Sequence, residues 1–222
     1  MTIKIALFDL DHTLIPFDSD HAWNEFTIEL GWRDGDAFRR ANDGFFAQYR
    51  DGTLDIHQYV QFATQAIRDK GATQSIAAHA KFMGASVLKD IKKSALDLVQ
   101  GHQAAGDTVI IVTATNEFVT RPIAAAFGVE ELIAIDLVRD AHGEFTGDIF
   151  GTPSFREGKV TRVSAWLAAH GLSWQNVDTT FYSDSTNDLP LLEKVNHPVA
   201  TNPDERLRQL ATQRGWRILE LF

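Results

Sequence analysis

Short, nearly unbroken apolar runs recur along the chain: IKIALF from residue 3, TVIIVT from 108, ELIAIDLV from 131, TTFYSD from 179, HPVAT from 197 and WRILEL from 216. Runs of four to eight residues with little polar alternation predict strands buried on both faces. Helical spacing fills most of the gaps. KKSALDLVQGHQAAGD closes at Gly106, and KVTRVSAWLAAHG places Val160, Val163, Trp166 and Leu167 on one face before Gly171. Strands alternating with helices predict a parallel sheet covered on both sides.

The rhythm breaks between about residues 16 and 85, where no strand pattern stands out. Apolar positions instead follow helical periods: Trp23, Phe26 and Leu30; Phe38, Ala41, Phe45 and Tyr49; Ile56, Tyr59, Val60, Ala63 and Ile67, with DGT at 51–53 separating the last two sets. An all-helical insert after the first strand is expected. A second irregularity, LVRDAHGEFTGDIFG, predicts a small hairpin turning at AHGE beside the sheet. The expected fold class is α/β, a Rossmann-like open parallel-sheet core with a small all-helical insert after the first strand.

Charge and composition narrow what such a fold does here. The chain has 222 residues, a net charge of −9 and no cysteine. The acidic balance argues against a nucleic-acid surface. The missing cysteines exclude disulfides, thiolate metal sites and cysteine nucleophiles. The start runs directly into a strand without an apolar leader, and no apolar run approaches the roughly 20 residues that span a bilayer. A cytoplasmic protein without a membrane partner is the expectation.

Ligands of open parallel sheets bind beyond the carboxyl ends of the strands. There the first strand ends in Asp9, Asp11 and Thr13, the second in Thr113, and a later one in Asp184, followed by Asn187 and Asp188. If strand geometry persists, Asp9, Asp11 and Thr13 share a face, and two adjacent carboxylates need a cation, a proton or a reaction to offset their repulsion. Hard oxygen donors of this kind suit Mg²⁺ shared with a phosphate. Lys159, the only lysine between residues 94 and 193, is a candidate helper. Each position also has an ordinary explanation: a strand-end turn for the first pair, a solvated lysine, a helix cap at Asp184.

FDLDHTL, VTAT, the GK pair at 158–159 and YSDSTND, in this order, resemble the four motifs of the haloacid dehalogenase-like phosphatase superfamily, in its phosphoserine phosphatase-like branch. The resemblance implies a core of residues 1–15 and 86–222 and a helical cap of the first (C1) type at 16–85. It implies a phosphomonoesterase working through an aspartyl phosphate, with Mg²⁺ as cofactor and a small phosphorylated metabolite as partner. In that scheme Asp9 is the nucleophile and Asp11 the general acid and base. The metal sits on Asp9, the Asp11 backbone carbonyl and Asp184, with Asp188 in support. Thr113, the backbone N–H of Ala114, Asn187 and Lys159 hold the phosphate, and Lys159 neutralises developing charge.

Two positions bear on the substrate. His12 stands where relatives often carry a small residue. Asp18 matches the cap acid that holds an ammonium in phosphoserine phosphatases, but their carboxylate-binding arginine aligns with Ala63. Arg39, Arg40 and Arg50 are the arginines that could stand in for it. A positively charged leaving group without a carboxylate, as in histidinol phosphate, fits better than phosphoserine. Asp18 and Asp20 could also simply cap a helix. Transfer to a hydroxyl acceptor instead of water is the alternative chemistry. A signalling receiver domain is set aside on length and on the second aspartate.

Overall fold

A computed structural model describes residues 2–222. Six strands form one parallel sheet in the order β3-β2-β1-β6-β7-β8: β1 is Ile3–Phe8, β2 Thr108–Asn116, β3 Glu131–Ile135, β6 Val177–Ser183, β7 His197–Thr201 and β8 Arg217–Leu219. Two further strands, β4 (Leu137–Arg139) and β5 (Phe145–Ile149), make the antiparallel hairpin expected around AHGE, with Gly143 at φ 82° in its turn.

Strand β1 explains its own apolar run. Ile5 and Leu7 join a core with Val163, Leu167 and Leu207, from α8 (Glu157–Ala169) and α10 (Glu205–Arg214). Ala6 and Phe8 face the opposite core, with Val99 and Val119 from α6 (Lys93–Ala104) and α7 (Glu117–Ala126). Both faces are buried, so neither can be polar.

Between β1 and α6 the described regular elements are all helical: α1 (Ser19–Glu29), α2 (Gly35–Asp51), α3 (Ile56–Ala63), α4 (Gln65–Lys70) and α5 (Ala72–Phe82), which runs into a wide turn at Met83–Val87. Gly52, at φ 77°, ends α2 as a left-handed cap. Trp23 is fully buried, packing edge-on to Phe82 and beside His79. Burial pushes the His79 ring down to about 4, and its Nε2 lies 3.0 Å from the Val119 carbonyl oxygen, so the neutral ring ties this segment to α7. Helices α3 and α4 rest on β5. No helix is long and apolar enough to cross a membrane among the described residues.

Two expected elements divide. ELIAIDLV is one apolar run, yet Asp136 separates β3 from β4; its carboxylate accepts from Arg162 at 2.7 Å and its carbonyl from Phe150 N at 2.8 Å. The pattern from Ile56 to Ile67 covers two helices, because Thr64 leaves helical geometry (φ −89°, ψ 1°) and turns its hydroxyl back to the Val60 carbonyl at 2.6 Å.

Candidate active site

The first motif does not continue as a strand. After Phe8 the chain turns, with the Leu10 carbonyl accepting from the N–H groups of Thr13, Leu14 and Ile15 and with His12 at φ 56°. Shared-face alternation therefore fails beyond β1, and the turn separates the two acids. Asp9 points down to the lysine and Thr13. Asp11 points sideways, accepting from Ser19 N at 2.9 Å and from the Thr115 hydroxyl at 2.7 Å. Asn202, at the end of β7, clamps the turn by donating to the His12 and Thr13 carbonyls at 3.0 and 3.1 Å.

Lys159 is not solvated. It is 1% exposed, and its ammonium donates to Asp9 Oδ1 at 2.8 Å and to Asp188 Oδ2 at 2.7 Å. Burial opposes its charge, but the Asp188 and Asp9 carboxylates overcome that and hold it above the ordinary lysine value. The Ser183 hydroxyl completes the Asp188 contacts at 2.7 Å. Burial, reinforced by Asp9, raises Asp188 to about 6 against the lysine's pull.

The Thr13 hydroxyl lies 3.2 Å from Asp9 Oδ2 and 3.3 Å from Asp184 Oδ1 and accepts from the Asp184 N–H at 3.1 Å. One hydroxyl proton thus serves two carboxylates. Burial, then Asp9 and Asp188, push Asp184 well above its usual value. Three carboxylates against one ammonium leave room for another cation. The Thr13 hydroxyl and the Asp9 carboxylate next to Asp184 offer oxygen donors, which suit Mg²⁺. Among the described residues no three acidic or imidazole side chains converge into a cage by themselves. Mg²⁺ does not need one, since it usually takes one or two carboxylates and completes its shell with water and phosphate.

These groups floor a cavity of about 550 Å³ whose lining also includes Thr113, Ala114, Thr115 and Asn187. Thr113 to Thr115 lie where the β2–β3 pairing slips between Val112 and Asn116, so the strand end bends toward the cavity. Of the expected site residues, Asp9, Asp11, His12, Asp18, Thr113, Ala114, Lys159, Asp184, Asn187 and Asp188 all border this one space. The upper wall comes from the helical segment: Asp18, His21, Phe45, Tyr49, Ile56 and Tyr59. Sequence reading placed Phe45, Tyr49 and Tyr59 only on apolar helical stripes, named Thr13 beside the two acids, and missed Thr115 and Asn202. Helical spacing cannot separate a core face from a cavity face, but Thr115 stands two strand positions after Thr113, which was a usable signal.

Asp18 is a helix cap that also faces the cavity. It caps α1, accepting from His21 N at 2.8 Å, and it borders the cavity. Asp20 does not cap. It is 2% exposed, with its carboxylate on the Asn116 amide at 2.8 Å. Burial, then Asp18 and Asp9, raise Asp11 to about 7; burial, then Asp18 and Asp11, raise Asp20 well above its normal range. No arginine lines the cavity among the described residues. Ala63 is buried, Arg39 is held by Glu25 at 2.6 Å, and Arg40 and Arg50 are exposed.

Gly158 shows how tightly the lysine loop is packed: a Cβ there would stand 2.0 Å from the Pro153 carbonyl oxygen. Gly158→Ala is expected to cost about 1–3 kcal/mol or more, lowering the thermal midpoint by several degrees. An unchanged melting curve would contradict the close approach.

A sequence model described as haloacid dehalogenase-like hydrolase matches residues 6–193. A histidinol-phosphatase of Neisseria meningitidis serogroup C is 40% identical over 217 residues, 97% of this chain and 98% of that one. A solved protein of unknown function from Bordetella pertussis Tohama I superimposes with a TM-score of 0.94 at 46% identity, covering 100% of both chains. A substrate-bound phosphoserine phosphatase gives a TM-score of 0.68 at 17% identity over 99% of this chain and 93% of that one, a likeness of fold.

Proposed function

The chain belongs to the haloacid dehalogenase-like hydrolases and is a phosphatase of that family, and we propose that it hydrolyses a small phosphate monoester with a cationic leaving group, histidinol phosphate being the leading candidate. The observation that carries the substrate is the charge of the cavity wall. Asp11 and Asp18 line the cavity with Asp20 buried behind them; Asp18 raises the proton affinity of Asp11, and both raise that of Asp20, while the one lysine in the lining is already held by Asp9 and Asp188. A cationic leaving group would offset that unpaired negative charge. A carboxylate would meet no arginine there, which disfavours phosphoserine. The name of the Neisseria relative supports the same compound.

In this reading Asp9 attacks phosphorus and Asp11 passes its proton to the departing oxygen, then takes one from water. Lys159 holds the Asp9 carboxylate in place and shares the charge of the phosphoryl oxygens, with Asp188 and Ser183 fixing the lysine. Thr113, the Ala114 N–H and the Asn187 amide grip the remaining oxygens. Mg²⁺, held by Asp9 and Asp184 with the Asp11 carbonyl, would supply charge neutralisation at the phosphate. Asp188 is then chiefly the lysine's partner and supports the metal site indirectly. The helical segment from about 16 to 85 acts as the cap over the cavity, and His12 stands at its rim.

The test compares kcat/KM for histidinol phosphate, phosphoserine and an uncharged alkyl phosphate, with Mg²⁺. Histidinol phosphate should lead. Asp18→Asn should lower its kcat/KM by about two- to tenfold, the scale of a partly exposed charge pair, and leave the uncharged ester nearly unchanged. A clear lead for phosphoserine would defeat the substrate assignment.

A further inference from the structure

We infer that Arg156 is a positioning residue for the phosphate site: its guanidinium fixes the amide of Asn187 so that the amide nitrogen is presented to the cavity. The inference rests on the reading of Asn187 as a phosphate-holding group.

Arg156 sits at φ 51°, ψ −122°, immediately before α8. An L-residue with a side chain rarely adopts that backbone, and such strain persists only where its surroundings impose it. Glycine would occupy the position freely, yet an arginine stands there. Its side chain connects three parts of the molecule. The guanidinium lies 4.9 Å from the centroid of Phe155, which lines the cavity. One terminal nitrogen lies 3.0 Å from where a Cβ on Gly52 would be, against the end of α2. Its Nε donates to Asn187 Oδ1 at 3.3 Å.

Guanidinium has donors only, so the atom of Asn187 that faces it must be the amide oxygen. On the other side the Tyr49 backbone carbonyl accepts from Asn187 Nδ2 at 3.4 Å. A donor on one side and an acceptor on the other hold the amide in one orientation. One N–H goes to Tyr49, and the second remains for an anion in the cavity that Asn187 borders. Arg156 itself is not among the residues lining that cavity. Without it the amide can turn over and offer oxygen to the phosphate, replacing an attraction by a repulsion.

Arg156→Gly separates this role from folding, because glycine relaxes the strained backbone while removing the guanidinium. Its thermal midpoint should stay near or above that of the wild type. Binding of inorganic phosphate, measured calorimetrically with Mg²⁺ present, should weaken about tenfold, as for loss of one well-placed hydrogen bond. Arg156→Lys, which keeps a charge but not the planar fork, should weaken it similarly. In an Asn187→Ala background, Arg156→Gly should add less than about twofold. Unchanged phosphate binding in Arg156→Gly overturns the inference. So does a full tenfold loss that persists without the Asn187 amide, since Arg156 would then act by another route. If wild-type protein neither binds phosphate nor hydrolyses any ester, the functional reading fails and takes the inference with it; wild-type binding beside an unaffected Arg156→Gly removes the inference alone.

Discussion

Asp9→Asn is expected to abolish phosphate release, by about 10⁴-fold or more, in a protein that remains folded. The amide has nearly the volume of the carboxylate but cannot attack phosphorus, so the covalent step has no nucleophile. The fold should survive because Lys159 keeps its second partner: Asp188 Oδ2 stands 2.7 Å from the ammonium, and Ser183 holds that carboxylate. The oxygen of the substituted amide can still accept from Lys159, and its nitrogen can donate toward Thr13, whose hydroxyl is free to rotate. Removing one of the carboxylates that crowd Asp184 also relieves repulsion. Thermal unfolding should therefore show a cooperative transition near that of the wild type. Assay with an aryl phosphate and Mg²⁺ checks the activity. Turnover near the wild-type rate in a verified Asp9→Asn sample would rule out the aspartyl phosphate.

Much of this architecture could be read from the sequence because buried parallel strands leave no choice of residue. IKIALF and TVIIVT are apolar on both faces since helices cover both faces, and that signal is local. The divisions at Asp136 and Thr64 were hidden for the complementary reason. A continuous apolar run looks the same whether it serves one sheet or two, and helical spacing survives a change of axis. The site was legible at its strand ends and illegible in its contacts. Lys159 reaches Asp9 across 150 positions and Thr115 reaches Asp11 across 104, and no local pattern encodes such partners. Burial turned the lysine from an ordinary surface residue into the counter-ion of two aspartates. The turn after Phe8 shows the converse: strand alternation brought Asp9 and Asp11 to attention, while the observed backbone sends them to different partners. The strain at Arg156 is a backbone property that its residue type would not suggest.

The second large effect concerns Asp11. Asp11→Asn should slow phosphorylation of the enzyme by an alkyl phosphate by about 10²–10⁴-fold, the usual scale for general acid catalysis. The position is arranged for a carboxyl that holds a proton near neutrality. Burial, Asp18 and Asp9 raise it to about 7, while hydrogen bonds from Ser19 and Thr115 limit the rise. A group titrating there can give a proton to a departing alkoxide and later take one from water. Asparagine fits the same space. Its oxygen can keep the Ser19 N–H, and its NH₂ can donate to a rotated Thr115 hydroxyl. A loss of rate would then reflect chemistry and not displacement. The diagnostic is the leaving group. An aryl phosphate whose phenolate departs unprotonated should lose less than about tenfold in single-turnover phosphorylation, because that step needs no acid. Its steady-state rate should still fall, because the second step needs a base to activate water, and phosphorylated protein should accumulate and be visible by intact mass. Equal losses for alkyl and aryl esters in the first step would count against the acid role. Asp11 would then act chiefly through its backbone carbonyl and its charge, and the proton would have to come from another group on the cavity wall.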